Sequence, residues 1–103
     1  MQLARVRGNV VASIKAAGLA SHKLLLLEPV SAAAPQAQSS GSDASSVYVA
    51  IDLAGAGVGE VVLVARGSAA RVDRDGQAAP TDAAVVAIVD YVQFDGQTTF
   101  QKR

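Results

Sequence analysis

Cysteine is absent from the 103 residues, which excludes disulfides, thiolate metal sites and thiol catalysis and fits a reducing compartment such as the cytosol. Tryptophan is absent too, and two Tyr and two Phe are the whole aromatic complement, so a core must be assembled from Val, Leu, Ile and Ala. Such a core is flat and small-grained. Nine basic residues balance nine acidic ones, which removes the basic footprint that a nucleic-acid or anionic-membrane binder presents. The expected partners are therefore proteins, with no nucleic acid and no membrane. No apolar run approaches the roughly 18 residues of a spanning helix, and Met1 to Arg5 opens a strand-like pattern in place of a signal peptide. Half the residues are nonetheless hydrophobic, enough for one domain over 1–103 that buries roughly two-thirds of its unfolded surface.

What is present centres on Asp52 to Arg71, DLAGAGVGEVVLVARGSAAR. Gly55, Gly57 and Gly59 alternate with Ala56 and Val58, which suits a backbone that turns with positive φ or lies against another backbone. A phosphate-binding fingerprint needs a helix opening directly after its glycines, whereas the β-branched run Glu60 to Ala65 predicts a strand there. The glycines therefore read as a tight loop at a barrel end or a subunit contact. Gly67 to Arg71 reads as a stop, a Ser68 N-cap and one helical turn.

Met1 to Ser13 predicts a first strand, with Ala4, Val6 and Val10 on one side and Arg5, Arg7 and Asn9 on the other. Gly8 inside it marks a bend or bulge. Arg5 and Arg7 read as a solvated face or as intersubunit ion pairs, ahead of anion ligands. Lys23 to Val30, with four leucines, is a second strand buried on both faces or against a neighbouring subunit. Ser31 to Ser46 is low-complexity and is expected to be an exposed, flexible hairpin loop. Val47 to Leu53 alternates cleanly as a third strand, and Val72 to Asp82 is a surface loop. Ala83 to Phe94 reads as a further strand, and Asp95-Gly96 between YVQF and QTTFQK is a strong hairpin signal. The sum is an all-β fold, a small five-stranded, partly open (OB-like) β-barrel with a one-turn helix and a C-terminal hairpin strand.

Catalytic chemistry is hard to find. His22 is the lone histidine and reads as surface. Asp73, Asp75 and Asp82 lack the remaining positions of a calcium loop, so turn chemistry explains them. Asp52 and Glu60 flank the glycines and form a carboxylate dyad if the loop folds back. The competing reading is that each caps turn N–H groups or meets an arginine from another subunit. A barrel that binds a ligand or single-stranded nucleic acid is the functional rival, but four aromatics and neutral charge are a poor stacking groove. No catalytic residue, metal or cofactor is expected.

Four stretches in order, ARVRGNVVASIK (Ala4 to Lys15), KLLLLEP (Lys23 to Pro29), DLAGAGVGEVVLVARGSAAR and PTDAAVVAIVDYV (Pro80 to Val92), resemble the pentameric vertex proteins of bacterial microcompartment shells, the EutN/CcmL type. The union of a GAGxGE turn with a GSxAR helix start carries the resemblance most specifically. It implies a non-enzymatic shell component of a carboxysome or catabolic metabolosome, located in the cytoplasm within the shell. Five copies would close a ring that plugs fivefold corners between hexameric shell proteins. By resemblance, Gly55, Ala56, Gly57, Gly59 and Glu60 would lie near the axis or subunit seam. Lys15, Ser68, Ala70 and Arg71 would form an edge contacting a ring-mate or hexamer. Ser31 to Ser46 is longer and poorer in charge than the family's usual hairpin.

Overall fold

The computed structural model describes residues 1–13, 15–19, 22–36, 46–67 and 81–102. Among them are seven strands: β1 (Gln2–Val10), β2 (Lys23–Pro29), β3 (Tyr48–Asp52), β4 (Val61–Arg66), β5 (Ala83–Ile88), β6 (Tyr91–Phe94) and β7 (Gln97–Gln101). The first five form a closed barrel in the order β1-β2-β3-β5-β4, and β6 and β7 form a separate two-stranded sheet. The small barrel read from the sequence is there, but its ring is complete where a partly open one was expected. Closure comes from β4 pairing antiparallel with β1. All barrel pairings are antiparallel except β3 with β5, which is parallel and spans only Ile51↔Ala84 and Asp52↔Val85.

Alternation along each strand sorts the side chains. Ala4, Val6, Leu25, Leu27, Ala50, Val62, Val64, Ala83 and Val85 fill the interior, the small-grained aliphatic core that the shortage of aromatics dictates. Their strand neighbours Ile51, Ala65 and Ala84 form a second cluster on the outer wall with Leu19, Leu24 and Leu53. The leucine strand is thus apolar on both faces. Leu26 pairs with Val49 on the outer side, and Val49 stays 46% exposed.

Irregularities fix the register. β1 shifts against β2 between Val6 and Gly8, so the bulge expected at Gly8 is present. Beyond it the phase inverts: Val6 faces inward opposite Leu27, while Val10 pairs with Leu24 on the outer face, not on the side of Val6 as the simple alternation suggested. Similar shifts occur between β4 and β5 and between β6 and β7.

Three further expectations change. The strand read over Ala83 to Phe94 is interrupted at Val89 and Asp90, where the chain changes partner: Val89 N–H still donates to Val61 O beside β4 (2.9 Å), while Asp90 O already accepts from Lys102 N–H beside β7 (2.7 Å). The start of the loop expected to be flexible is tied down: Ser31 bridges Ala34, Pro35 is fully buried, and Ala32 O accepts a hydrogen bond from Thr99 Oγ1 (2.6 Å). Arg5 and Arg7 find an ion-pair partner within the chain: both bind the buried Glu28, and Arg5, largely covered, also donates to Gln36 O (3.2 Å), while Arg7 keeps the solvent exposure expected of it. The helical turn expected at 68–71, the loop expected over Val72 to Asp82 as far as residue 80, and residues 37–45 lie outside the described residues. The Asp95-Gly96 turn is as read, with φ of 56° and 78°, the left-handed pair that a tight two-residue hairpin requires.

Candidate assembly surface around the glycine turn

β3 ends at Asp52, and its carboxylate, 2% exposed, faces back along the following turn. Oδ1 accepts from the N–H groups of Ala54 (3.0 Å) and Gly55 (2.9 Å), and Oδ2 accepts from Ala56 (2.9 Å). Lys23 Nζ lies 3.8 Å from Oδ2 and donates to Ala56 O at 2.9 Å. The Ala56 methyl is buried in the barrel core, so the turn is anchored by a side chain as well as by its backbone.

Glu60 completes the turn from the other end. Its Oε1 accepts from Gly57 N–H (2.7 Å), and its Oε2 meets Lys102 Nζ at 2.8 Å. Gly59 N–H donates to Val6 O (2.8 Å) and Val6 N–H donates to Glu60 O (2.9 Å), stitching the turn to β1. The hydrogen bond from Lys102, then that from Gly57, hold the Glu60 carboxyl below the ordinary glutamate value, and Glu60 in turn raises the Lys102 ammonium. Each carboxylate thus caps turn N–H groups, and Glu60 also meets a cation of its own chain.

Two of the three glycines have a conformational reason. Gly55 and Gly59 have φ of 81° and 93°, a region L side chains rarely adopt. Gly57 has neither positive φ nor crowding, because a Cβ there would meet Glu60 Oε1 at an ordinary 3.5 Å. Within one chain nothing demands glycine at 57. Between Gly57 and Gly59, Val58 is 68% exposed.

The residues singled out from the sequence divide into three groups. Gly55, Ala56, Gly57, Gly59 and Glu60 come together in this one turn. Lys15 is elsewhere, its Nζ donating to His22 O (2.9 Å) to brace the connection around Ala17–Leu19. Ser68, Ala70 and Arg71 lie outside the described residues. Sequence reasoning missed Lys102, whose approach to Glu60 has no local signal. It also missed the cleft of about 400 Å³ that this pair spans, lined by Gly59, Val61, Val89 and Phe100. Among the described residues no cluster of three metal-ligating side chains occurs, and no helix is long and apolar enough to cross a membrane.

The family model described as ethanolamine utilisation protein EutN/carboxysome matches residues 1–90. The carboxysome shell vertex protein CcmL of Synechococcus elongatus is 41% identical over 103 residues, covering 100% of this chain and 97% of that protein. The bacterial microcompartment shell vertex protein EutN of Escherichia coli K12 is 42% identical over 102 residues, covering 99% and 100%. Among solved structures, the GrpN pentameric microcompartment shell protein from Rhodospirillum rubrum superposes with a TM-score of 0.73 at 37% identity, covering 91% of this chain and 99% of that one.

Proposed function

From the premise that this chain belongs to the EutN/CcmL family of microcompartment shell vertex proteins, we propose that the turn from Asp52 to Glu60 is where one copy meets the next around a fivefold vertex. The protein is a structural component of a microcompartment shell and not an enzyme. Its pentameric relatives support homopentamer assembly. The observation that carries the seam is Gly57, whose lack of a side chain has no explanation inside the chain and is explained by close approach of a second backbone. The turn is also rigid before any partner arrives, so little ordering entropy opposes association.

In this reading Gly55, Ala56, Gly57, Gly59 and Glu60 line the axis or the subunit seam. Lys15, Ser68, Ala70 and Arg71 form an edge toward a ring-mate or a neighbouring hexameric shell protein. The whole of 1–103 acts as one barrel domain, without cofactor or nucleic acid, in the cytoplasm at the shell. Native mass measured across a dilution series tests the assembly directly. Five copies at micromolar concentration is the expected result, and monomer alone at every concentration overturns it.

A further inference from the structure

Glu60 ties the glycine turn to the second sheet. Its two oxygens work in different directions, Oε1 accepting from Gly57 N–H at 2.7 Å within the turn and Oε2 meeting Lys102 Nζ at 2.8 Å beyond the end of β7. Two anchored oxygens fix the plane of the carboxylate, whereas one alone leaves the side chain free to swing about it. Asp52 needs no such help. It is 2% exposed, and both of its oxygens are taken by turn N–H groups. Glu60 is 25% exposed, and among the described residues its side chain has no direct polar partner other than Gly57 and Lys102.

Lys102 is brought to Glu60 by the β6–β7 hairpin, which lies beyond the residues that the family model matches. Its N–H donates to Asp90 O (2.7 Å), closing the root of the hairpin and setting where the ammonium emerges. Two-stranded ribbons are marginal alone. This one faces the barrel across the cleft of about 400 Å³ and is held by the buried Phe100, by Thr99 Oγ1 on Ala32 O and by the Lys102–Glu60 pair. Hairpin and barrel therefore meet at a few points, and one of them is the carboxylate that shapes the turn.

We propose that Lys102 is a positioning residue for the glycine turn: with the hairpin docked it aims Glu60 at the Gly57 N–H, and with the hairpin lifted the turn loses that cap. The shape of the turn then follows the state of the hairpin. By linkage, a partner that favours the capped turn also holds the hairpin down. The bearing on the ring rests on the turn being the seam, as proposed above.

Residue-resolved amide exchange on the parent chain, Lys102→Gln, Lys102→Arg and Thr99→Val tests the coupling, compared at concentrations where native mass gives the same assembly state. In Lys102→Gln, Gly57 exchange is expected to rise about two- to fivefold, the range open to a partly exposed ion pair. Ala54, Gly55 and Ala56, which Asp52 caps, should keep the parent rates, and Lys102→Arg should restore Gly57. Thr99→Val loosens the hairpin at Ala32 without touching Glu60 and should move Gly57 in the same direction. Native mass across a dilution series should show the Lys102→Gln ring coming apart at higher protein concentration than the parent ring. Gly57 exchange equal to the parent's in Lys102→Gln overturns the positioning role whatever the ring does, and so does a uniform rise from Ala54 to Gly57, which reports general loosening. Faster β7 exchange in Thr99→Val with Gly57 unmoved overturns the part played by hairpin docking. Faster Gly57 exchange with unchanged ring stability upholds the coupling and overturns the turn as seam.

Discussion

Asp52 and Glu60 divide four consecutive backbone N–H groups between them, Ala54, Gly55 and Ala56 going to the aspartate and Gly57 to the glutamate. A glycine-dense turn that would otherwise sample many conformations is thereby held in one. The two carboxylates that a catalytic reading would have paired are consumed in building a surface.

The aspartate half is the more deeply placed, so its removal is the more damaging. Asp52→Asn keeps the shape but offers one accepting oxygen where two served three N–H groups, leaving part of a buried turn unsatisfied. A loss of about 2 to 4 kcal/mol is expected, read as a lower urea midpoint at unchanged slope. A midpoint equal to that of the parent chain would show that the turn is held by other means.

Gly57 and Gly59 separate assembly from folding. Gly59→Val places a β-branched residue at φ 93° and is expected to destabilise the monomer by about 1 to 3 kcal/mol. Gly57→Val has ordinary φ and its Cβ would make only an ordinary contact with the Glu60 side chain, so its unfolding midpoint should change little while the pentamer is lost. Native mass together with urea melts reads the difference. A full pentamer in Gly57→Val moves the seam elsewhere on the barrel.

The tether between hairpin and turn has a defined pH window. Glu60 titrates below its ordinary 4.5, so its stabilising effect is complete above that value and disappears as pH falls through the lowered one. Lys102 titrates above its ordinary 10.5, so its effect is complete below that value and disappears as pH rises through the raised one. Amide exchange in β7, corrected for intrinsic rates, should be flat across neutral pH and faster in acid. Lys102→Gln should remove that acid dependence. Because the pair is partly exposed, added salt should speed exchange in the parent chain as well.

Residues 31–46 should not tolerate change uniformly. Deleting several residues within 38–44 is expected to leave the ring intact, since halving a loop shifts closure entropy by only about 0.6 kcal/mol. Replacing Pro35, which is fully buried, by Asp should loosen the contacts that Ala32 O and Gln36 O make with Thr99 and Arg5. Thermal melts of the two variants make the comparison, and equal melting temperatures would contradict it.

Local chemistry was the legible part of this sequence. The alternation in VYVAID, the glycine bulge in the first strand and the Asp95-Gly96 turn each follow from a few neighbouring residues, and each is present. Contacts that depend on distant partners were not legible. AAVVAIVDYVQF has strand propensity throughout, and only the change of partner, from β4 at Val89 to β7 at Asp90, divides it into β5 and β6. Arg5 and Arg7 read as a solvated face or as intersubunit ion pairs, because their intrachain partner Glu28 is defined only once Arg5 sits opposite it in the β1–β2 register. The turn was found from its glycines, yet which of them the chain's own backbone requires needed φ values.

The bulge that displaces Arg7 between Val6 and Gly8 has a consequence at the scale of the shell. A strand carrying such an irregularity cannot slide against its partner, so the barrel closes in one way only. Five congruent wedges must sum to a full turn, and whatever angular play each one has is multiplied around the circle. A tile that admits no slippage is what keeps that accumulated error small enough for the last joint to meet the first.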